Sequence, residues 1–271
     1  MIALQRHRSI LARVLDEGSV RVTDLARRFE VTEETIRRDL RLLAEQGVVA
    51  RTHGGAVAVE PEGGHRDLPY VQREAANTLQ KDAIARAAVR LIEPGSVVAL
   101  DPSTTCCQLA RLIPDVELTV VTNSLVVCSV LADRPRVEVI CTGGTLDAEA
   151  MAFFGLHTRR ALEGLHVERL FFSCRGIDFE RGLSEANDRH AAVKLAMIES
   201  AQRCTLLADT SKLGLASTVF YAPVGVAEHV IVNEPYDQPG RQAIDRLRKR
   251  GLTIDEADAL PEPRGKRQRS A

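Results

Sequence analysis

Along residues 6–57, apolar side chains recur three and four positions apart and are interrupted by turn residues, which predicts three short helices followed by a hairpin. Ile10, Leu11, Val14 and Leu15 form one apolar face, closed by Gly18. Thr23 stands where an N-cap would open the second helix, which runs to Phe29. Thr32 is placed to cap the third, with Glu33 and Glu34 in the first turn, where the helix dipole favours acids. Ile36, Leu40 and Leu43 are its apolar stripe and Gly47 its stop, and residues 48–57 read as two short strands around a turn.

Beyond residue 68 the period changes. Six apolar runs, at 97–101, 118–123, 137–142, 168–174, 203–209 and 228–233, read as strands buried on both faces, with helix-like stretches at 82–92, 104–113, 147–163 and 187–201 between most of them. That alternation predicts an α/β fold with a doubly wound, mostly parallel sheet. The polar, Pro- and Gly-bearing stretch 60–68 reads as a linker. The expected organisation is a winged helix-turn-helix domain at 1–58, a linker at 59–72, an α/β domain at 73–255 and a disordered basic tail at 256–271 that carries Arg264, Lys266, Arg267 and Arg269.

Composition narrows the classes. Hydrophobic residues at 45% and charged residues at 27% describe a folded globular chain. No apolar run approaches the ~20 residues of a membrane helix. The first residues lack a secretion signal, so a cytoplasmic location without membrane contact is expected. Lys and Arg (36) balance Asp and Glu (37), which excludes a basic field over the whole molecule and leaves any nucleic-acid binding to local charge. Six cysteines, adjacent at 106 and 107 and single in apolar surroundings at 128, 141, 174 and 204, show no metal-ligand spacing; reduced, mostly buried thiols without metal or cofactor are expected. No Trp and three Tyr leave few stacking platforms for single strands or sugar rings.

Two helices joined by a tight turn, the second capped by Thr and studded with Arg, suit entry into the major groove of double-stranded DNA. Thr32, Glu34 and Thr35 stand at the end where base edges would be met, Arg37, Arg38 and Arg41 supply its cations, and Arg51, Thr52, His53 and Gly54 form the wing. The alternative is a solvated face of a small interaction domain. One winged helix covers a short half-site, so a homo-oligomer, dimer or tetramer, is expected.

In open parallel sheets ligands bind outside the carboxyl ends of the strands, and every strand candidate here ends in a polar or glycine-bearing turn. The candidate effector residues at these tips are Asp101, Ser103, Thr104 and Thr105; Thr122, Asn123 and Ser124; Thr142, Gly143 and Gly144; Gly176 and Asp178; and Asp209, Ser211 and Lys212, with Lys194 on the helix at 187–201. Such residues also cap helices, which is the alternative for each tip alone, as an ordinary surface lysine is for Lys194 and Lys212. Hydroxyls and N–H groups at a helix start suit a phosphate near Ser103, Thr104 and Thr105, with sugar hydroxyls near Asn123, Gly143, Asp178 and Lys212. Asp101 would repel that anion and is expected to orient its loop or touch a hydroxyl. Neither G-x-G-x-x-G nor the P-loop pattern occurs at these tips, which favours a sugar phosphate over a nucleotide.

The chain resembles the DeoR-type bacterial transcriptional repressors over nearly its full length. The resemblance rests on Arg8-Ser9-Ile10-Leu11, Val22-Thr23-Asp24-Leu25-Ala26, the string from Val31 to Leu40 with Thr35-Ile36-Arg37-Arg38-Asp39-Leu40, and Arg51-Thr52-His53-Gly54-Gly55-Ala56. It continues with Arg73, Asn77, Lys81, Ala99-Leu100-Asp101, Thr104-Thr105, Thr122-Asn123-Ser124, Thr142-Gly143-Gly144, Gly176-Ile177-Asp178 and Ala208–Lys212. It implies an operator-binding winged helix and a sensor domain similar in fold to sugar-phosphate isomerases, which binds a phosphorylated sugar or related metabolite and thereby relieves repression. Departures are Pro102 and Ser103 where the family has Ser-Gly, His190-Ala191 where it has Glu-Ala, Arg169 for Lys and Asn233 for Asp. The alternatives are an isomerase-like enzyme, for which Asp101, Asp178 or Asp209 would have to act as base, and a purely structural oligomerisation module.

Overall fold

The computed structural model describes residues 6–7, 9–10, 13–14, 18–45, 49–58, 69–235 and 238–258. The expected linker at 60–68, the Gly47 helix stop and most of the basic tail lie outside the described residues.

The amino-terminal part comprises β1 (Ser19–Arg21), α1 (Val22–Phe29), α2 (Glu33–Glu45), β2 (Val49–Thr52) and β3 (Gly55–Ala58), preceded by helical residues at 6–7, 9–10 and 13–14. The expected stripe on α2 is its buried face, with Ile36, Leu40 and Leu43 at most 2% exposed against Ile10, Val14 and Leu25. Two features differ from the sequence reading. A third strand, β1, pairs antiparallel with β3, giving the order β1-β3-β2. It also moves the start of α1: Arg21 occupies the cap position, and the Val22 amide donates to Gly54 O at 2.9 Å, so Thr23 lies inside the helix and caps nothing. Gly55 is required by this pairing, because a Cβ there would stand 1.8 Å from Val20 O.

The second part begins with α3 (Tyr70–Ala75) and α4 (Thr78–Ala88), so the segment expected to be linker to residue 72 is already helical at Tyr70. Seven strands then form one parallel sheet. These are β4 (Val97–Leu100), β5 (Leu118–Thr122), β6 (Val137–Cys141), β9 (Val167–Phe172), β12 (Ala201–Ala208), β14 (His229–Asn233) and β15 (Thr253–Ala257), in the order β15-β14-β12-β9-β4-β5-β6. All six expected strands are present; β15, too polar to register as an apolar run, is added at the edge and carries the chain past the boundary expected at 255. Because side chains alternate across a strand, Ala99, Leu170, Phe172, Leu206 and Val230 fall in one buried cluster and Val98, Leu100, Phe171, Leu207 and Ile231 in the other. Helices α4, α5 (Thr104–Leu112) and α6 (Leu125–Leu131) contribute to the second cluster, and α8 (Asp188–Ser200) and α9 (Gln238–Lys249) to the first. The sheet is therefore doubly wound, as expected.

The stretch 147–163 is not one helix. It holds the end of the hairpin β7 (Thr145–Asp147) and β8 (Ala152–Phe154), followed by α7 (Leu156–Leu162). Asp147 accepts the amides of Glu149 and Ala150 and Met151 has φ 54°, a tight turn that interrupts the helical pattern. A further small antiparallel sheet comprises β10 (Gly176–Asp178), β11 (Gly182–Glu185) and β13 (Val219–Ala222), its first strand following β9 by three residues. Cys106, Cys107, Cys174 and Cys204 are buried, whereas Cys141 is exposed and Cys128 half-buried, because they sit on the edge strand β6 and on α6.

Candidate functional site

On the winged helix, the apolar face of α2 turns inward and leaves Glu34, Arg37, Arg38 and Arg41 exposed, with Thr32 at the start and Thr35 half-buried. Thr32 Oγ1 accepts the Thr35 amide at 3.2 Å, so it caps the helix as expected. Arg37 pairs with Glu33 at 2.8 Å one turn back. Arg51, Thr52, His53 and Gly54 are exposed at the wing, and a Cβ at Gly54 would meet no atom within 4 Å. Asp39, in the middle of the arginine string, points the other way: it is 4% exposed and accepts Arg6 Nε at 2.6 Å, Arg6 Nη2 at 3.1 Å and His7 Nε2 at 2.7 Å. Burial works against its charge, but these bonds outweigh it and hold its pKa below the usual carboxylate value. The sequence reading missed this anchor, although an acid set among arginines on the apolar side of the helix was its signal.

The carboxyl ends of β4, β5, β9 and β12 open into a cavity of about 460 Å³. Ser103 and Thr104 line it after β4, Asn123 after β5, Ser173, Cys174 and Arg175 after β9, and Asp209, Ser211 and Lys212 after β12; Arg73, Ala76, Asn77 and Lys81 close one side, and Phe154, Glu185, His190 and Lys194 another. Asp101 lies directly beneath, fully buried, and accepts the amides of Ser103 and Ser173, both at 2.9 Å, and Lys194 Nζ at 2.5 Å. It thus ties the β4 loop to the β9 loop, the orienting role expected of it. Lys194, 6% exposed, also reaches Glu185 at 3.0 Å. Burial disfavours its ammonium, yet the two carboxylates outweigh burial and raise its pKa.

Lys81 is in the opposite situation. It is 6% exposed, its Nζ donates to the carbonyls of Arg73 and Ala76, and burial, followed by the charge of Lys212, lowers its pKa to about 7. Lys212 Nζ donates to Ser173 Oγ at 2.8 Å and stands 3.8 Å from Asp209. Asn77, with φ 52°, donates from Nδ2 to Asp209 at 3.2 Å. Asn123 is fully buried; its Nδ2 donates to Phe153 O, and its Oδ1 has no partner among the described residues. His190 stacks on Phe154 with ring centroids 4.3 Å apart.

Of the sixteen effector candidates, Ser103, Thr104, Asn123, Lys194, Asp209, Ser211 and Lys212 line this cavity. The rest do not. Thr122 donates to Leu100 O and accepts the Ser124 amide, Ser124 caps α6, and Thr105 is buried in α5. Gly143 O accepts a bond from Thr158, and Gly144 sits where a Cβ would lie 2.1 Å from Thr158 Oγ1. Thr142 is buried beside them, off the cavity. Gly176 is packed against Leu215 O, and Asp178 caps its own turn by accepting the amides of Glu180 and Arg181, which lower its pKa. The expectation of sugar hydroxyls near Gly143 and Asp178 is therefore corrected: both serve backbone geometry. Arg73, Asn77, Lys81, Arg175, Glu185 and His190 line the cavity without having been chosen, since none follows a strand in the way that marked the others, except Arg175.

A winged helix joined to an α/β domain with a charged cavity at its strand ends is the plan of a ligand-responsive DNA-binding regulator. Residues 6–62 match the DeoR-like helix-turn-helix domain and residues 76–234 the DeoR C terminal sensor domain. The chain is 36% identical to the uncharacterized HTH-type transcriptional regulator YulB of Bacillus subtilis, over 90% of this chain and 94% of that one. It is 33% identical to a putative aga operon transcriptional repressor of Escherichia coli O157:H7, over 92% of each, and 38% identical to the L-fucose operon activator of Haemophilus influenzae, over 79% and 85%. The chain belongs to the DeoR family of transcriptional regulators and is a DNA-binding regulator, not an enzyme. Among the described residues, no helix is long and apolar enough to cross a membrane.

Proposed function

We propose that this regulator represses a carbohydrate-utilisation operon from the cytoplasm as a homo-oligomer, and that a phosphorylated sugar in the cavity releases it from its operator. The observation that carries this reading is the placement of Lys81 and Lys212 in the lining of one cavity: burial, followed by the charge of Lys212, lowers the Lys81 pKa to about 7, and an anion bound beside it favours its charged form. The Ser103 hydroxyl and the Lys212 ammonium supply donors for a phosphate, the Thr104 and Ser211 hydroxyls can join them by turning away from Arg73 O and Asp209, and Asn123, Asp209 and Glu185 can hold sugar hydroxyls. The L-fucose operon named for one relative supports a sugar as the parent compound.

Thermal-shift screening of sugar phosphates beside their unphosphorylated parents tests this directly, because a ligand of the native state raises its stability by mass action. Only phosphorylated members should raise the melting temperature, and Lys212→Ala should lose that shift while retaining operator affinity. In wild type the effector should weaken operator binding by roughly 5–150-fold, the span of a ~1–3 kcal/mol coupling. A screen in which parent sugars shift the protein as much as their phosphates would refute the anion site. Light scattering should give a multiple of the protomer mass; a monomer with full operator affinity would refute the oligomer.

A further inference from the structure

Helix α3 touches both parts of the molecule. Its first residue, Tyr70, is buried with the core of the sheet and donates its amide to Glu149 O at 2.7 Å. Its last, Ala75, is 5% exposed and lies in the buried cluster of Ile10, Leu25, Ile36, Leu40 and Ala56, the core of the winged helix. Arg73 within this helix and Ala76 and Asn77 just after it line the cavity. Six residues cannot sustain a helix without outside support, and the carbonyls at its end need donors. Lys81 supplies them to Arg73 and Ala76; the Thr104 hydroxyl reaches the Arg73 carbonyl only at 3.4 Å. The same ammonium therefore faces the cavity and fastens the turn that positions Ala75.

We propose that Lys81 is the coupling residue of this regulator: without effector its ammonium clamps the end of α3, and a phosphate in the cavity draws it off the Arg73 and Ala76 carbonyls, loosening the helix that seats Ala75 in the winged-helix core. This rests on the reading of the cavity as a phosphate site. The pull is favourable because an ammonium bonds a dianion more strongly than it bonds a neutral carbonyl. Tyr70 in the core of the sheet and Glu74, held to Arg111 at 2.6 Å, keep the start of α3 on the sensor domain, and Asn77, held to Asp209, marks the far limit, so the loosened segment is confined to Ala75 and Ala76.

The test uses the full-length protein, an operator duplex obtained by selection in vitro, and orthophosphate as probe against chloride at matched ionic strength. In wild type, phosphate should weaken operator binding and accelerate hydrogen exchange at the amides of 73–77. Lys81→Met should bind operator more weakly from the outset, by about the factor phosphate produces in wild type, and phosphate should weaken it no further. A merely structural lysine would lower basal affinity and leave the phosphate effect intact, which overturns the proposal, as does wild-type basal affinity in Lys81→Met. If that variant does not fold, the wild-type exchange decides: release of operator with unchanged exchange at 73–77 places the coupling elsewhere. If orthophosphate neither stabilises wild type nor releases operator, the cavity reading fails and this proposal with it; stabilisation with release but without the behaviour expected of Lys81 overturns the proposal alone.

Discussion

Lys194→Met isolates the ion group beneath the cavity. In the native protein the Lys194 ammonium lies 2.5 Å from Asp101, which is fully buried, and 3.0 Å from Glu185, which is 6% exposed. Methionine fills a similar volume but leaves two buried carboxylates facing each other without a cation. Breaking such a group by removing one partner costs ~3–5 kcal/mol. A second route gives the same size: the protein can escape the penalty by protonating one carboxylate, which at pH 7 costs about 1.4 kcal/mol for each of roughly three pH units above its unfolded value, or ~4 kcal/mol. At about 2–4 °C per kcal/mol for a domain of this size, the melting temperature should fall by about 6–20 °C. The pH dependence supplies the discriminating arm. In wild type the Asp101 pKa is held down, burial opposing and Lys194 prevailing, so its contribution is complete well above the unfolded carboxylate value and is lost only as pH falls through the lower native one. In Lys194→Met the balance reverses and the native pKa rises above the unfolded value, so the deficit relative to wild type should shrink by roughly 2–3 kcal/mol between pH 7 and pH 5. Differential scanning fluorimetry at the two pH values reads both effects. An unchanged melting temperature, or an equal loss at both pH values, would refute the account and return Lys194 to the role of an effector ligand.

Arg37→Ala and Arg38→Ala should each weaken operator binding; a base contact costs ~1–3 kcal/mol and relaxes specificity, whereas a phosphate contact, expected for Arg38, weakens all sequences alike and flattens the salt dependence, both read by anisotropy titration. Asp39→Asn should cost about 1–3 kcal/mol by removing a charged acceptor from Arg6 and His7; because the native Asp39 pKa is lowered, the stability that the carboxylate adds is present above its unfolded value and lost as acid reaches the native one, so urea melts of wild type and variant should converge at low pH. Gly55→Ala should disrupt the wing by forcing a side chain onto Val20 O, while Gly54→Ala should melt normally and report in operator affinity alone whether the backbone there meets DNA.

Local pattern sufficed wherever an element's own residues decide its state. The stripe Ile36, Leu40, Leu43 and the Thr32 cap defined α2, and double-sided burial marked six strands of the parallel sheet, because period and capping are properties of a short stretch of chain. The same locality explains the arginine face of the recognition helix, which is what remains once the apolar stripe is turned inward. The strand tips, too, could be read as a set, since a parallel sheet brings its carboxyl ends to one side.

Which tips share a cavity was decided only by the fold. Ser103, Asn123 and Lys212 meet because β4, β5, β9 and β12 carry them to one place, whereas Gly144 and Asp178, identical in kind on paper, spend their conformational freedom and their carboxylate on backbone turns. Edge strands β1 and β15 exist through pairing partners far along the chain, and Thr23 lost its cap role to a carbonyl from the wing. The opposite fates of two lysines make the physical reason plain. Lys194 and Lys81 are the same residue on two helices and both are buried, but their neighbours in space give one two carboxylates and the other a second cation, and only the assembled electrostatics separate an ammonium whose charge is reinforced from one whose charge is disfavoured.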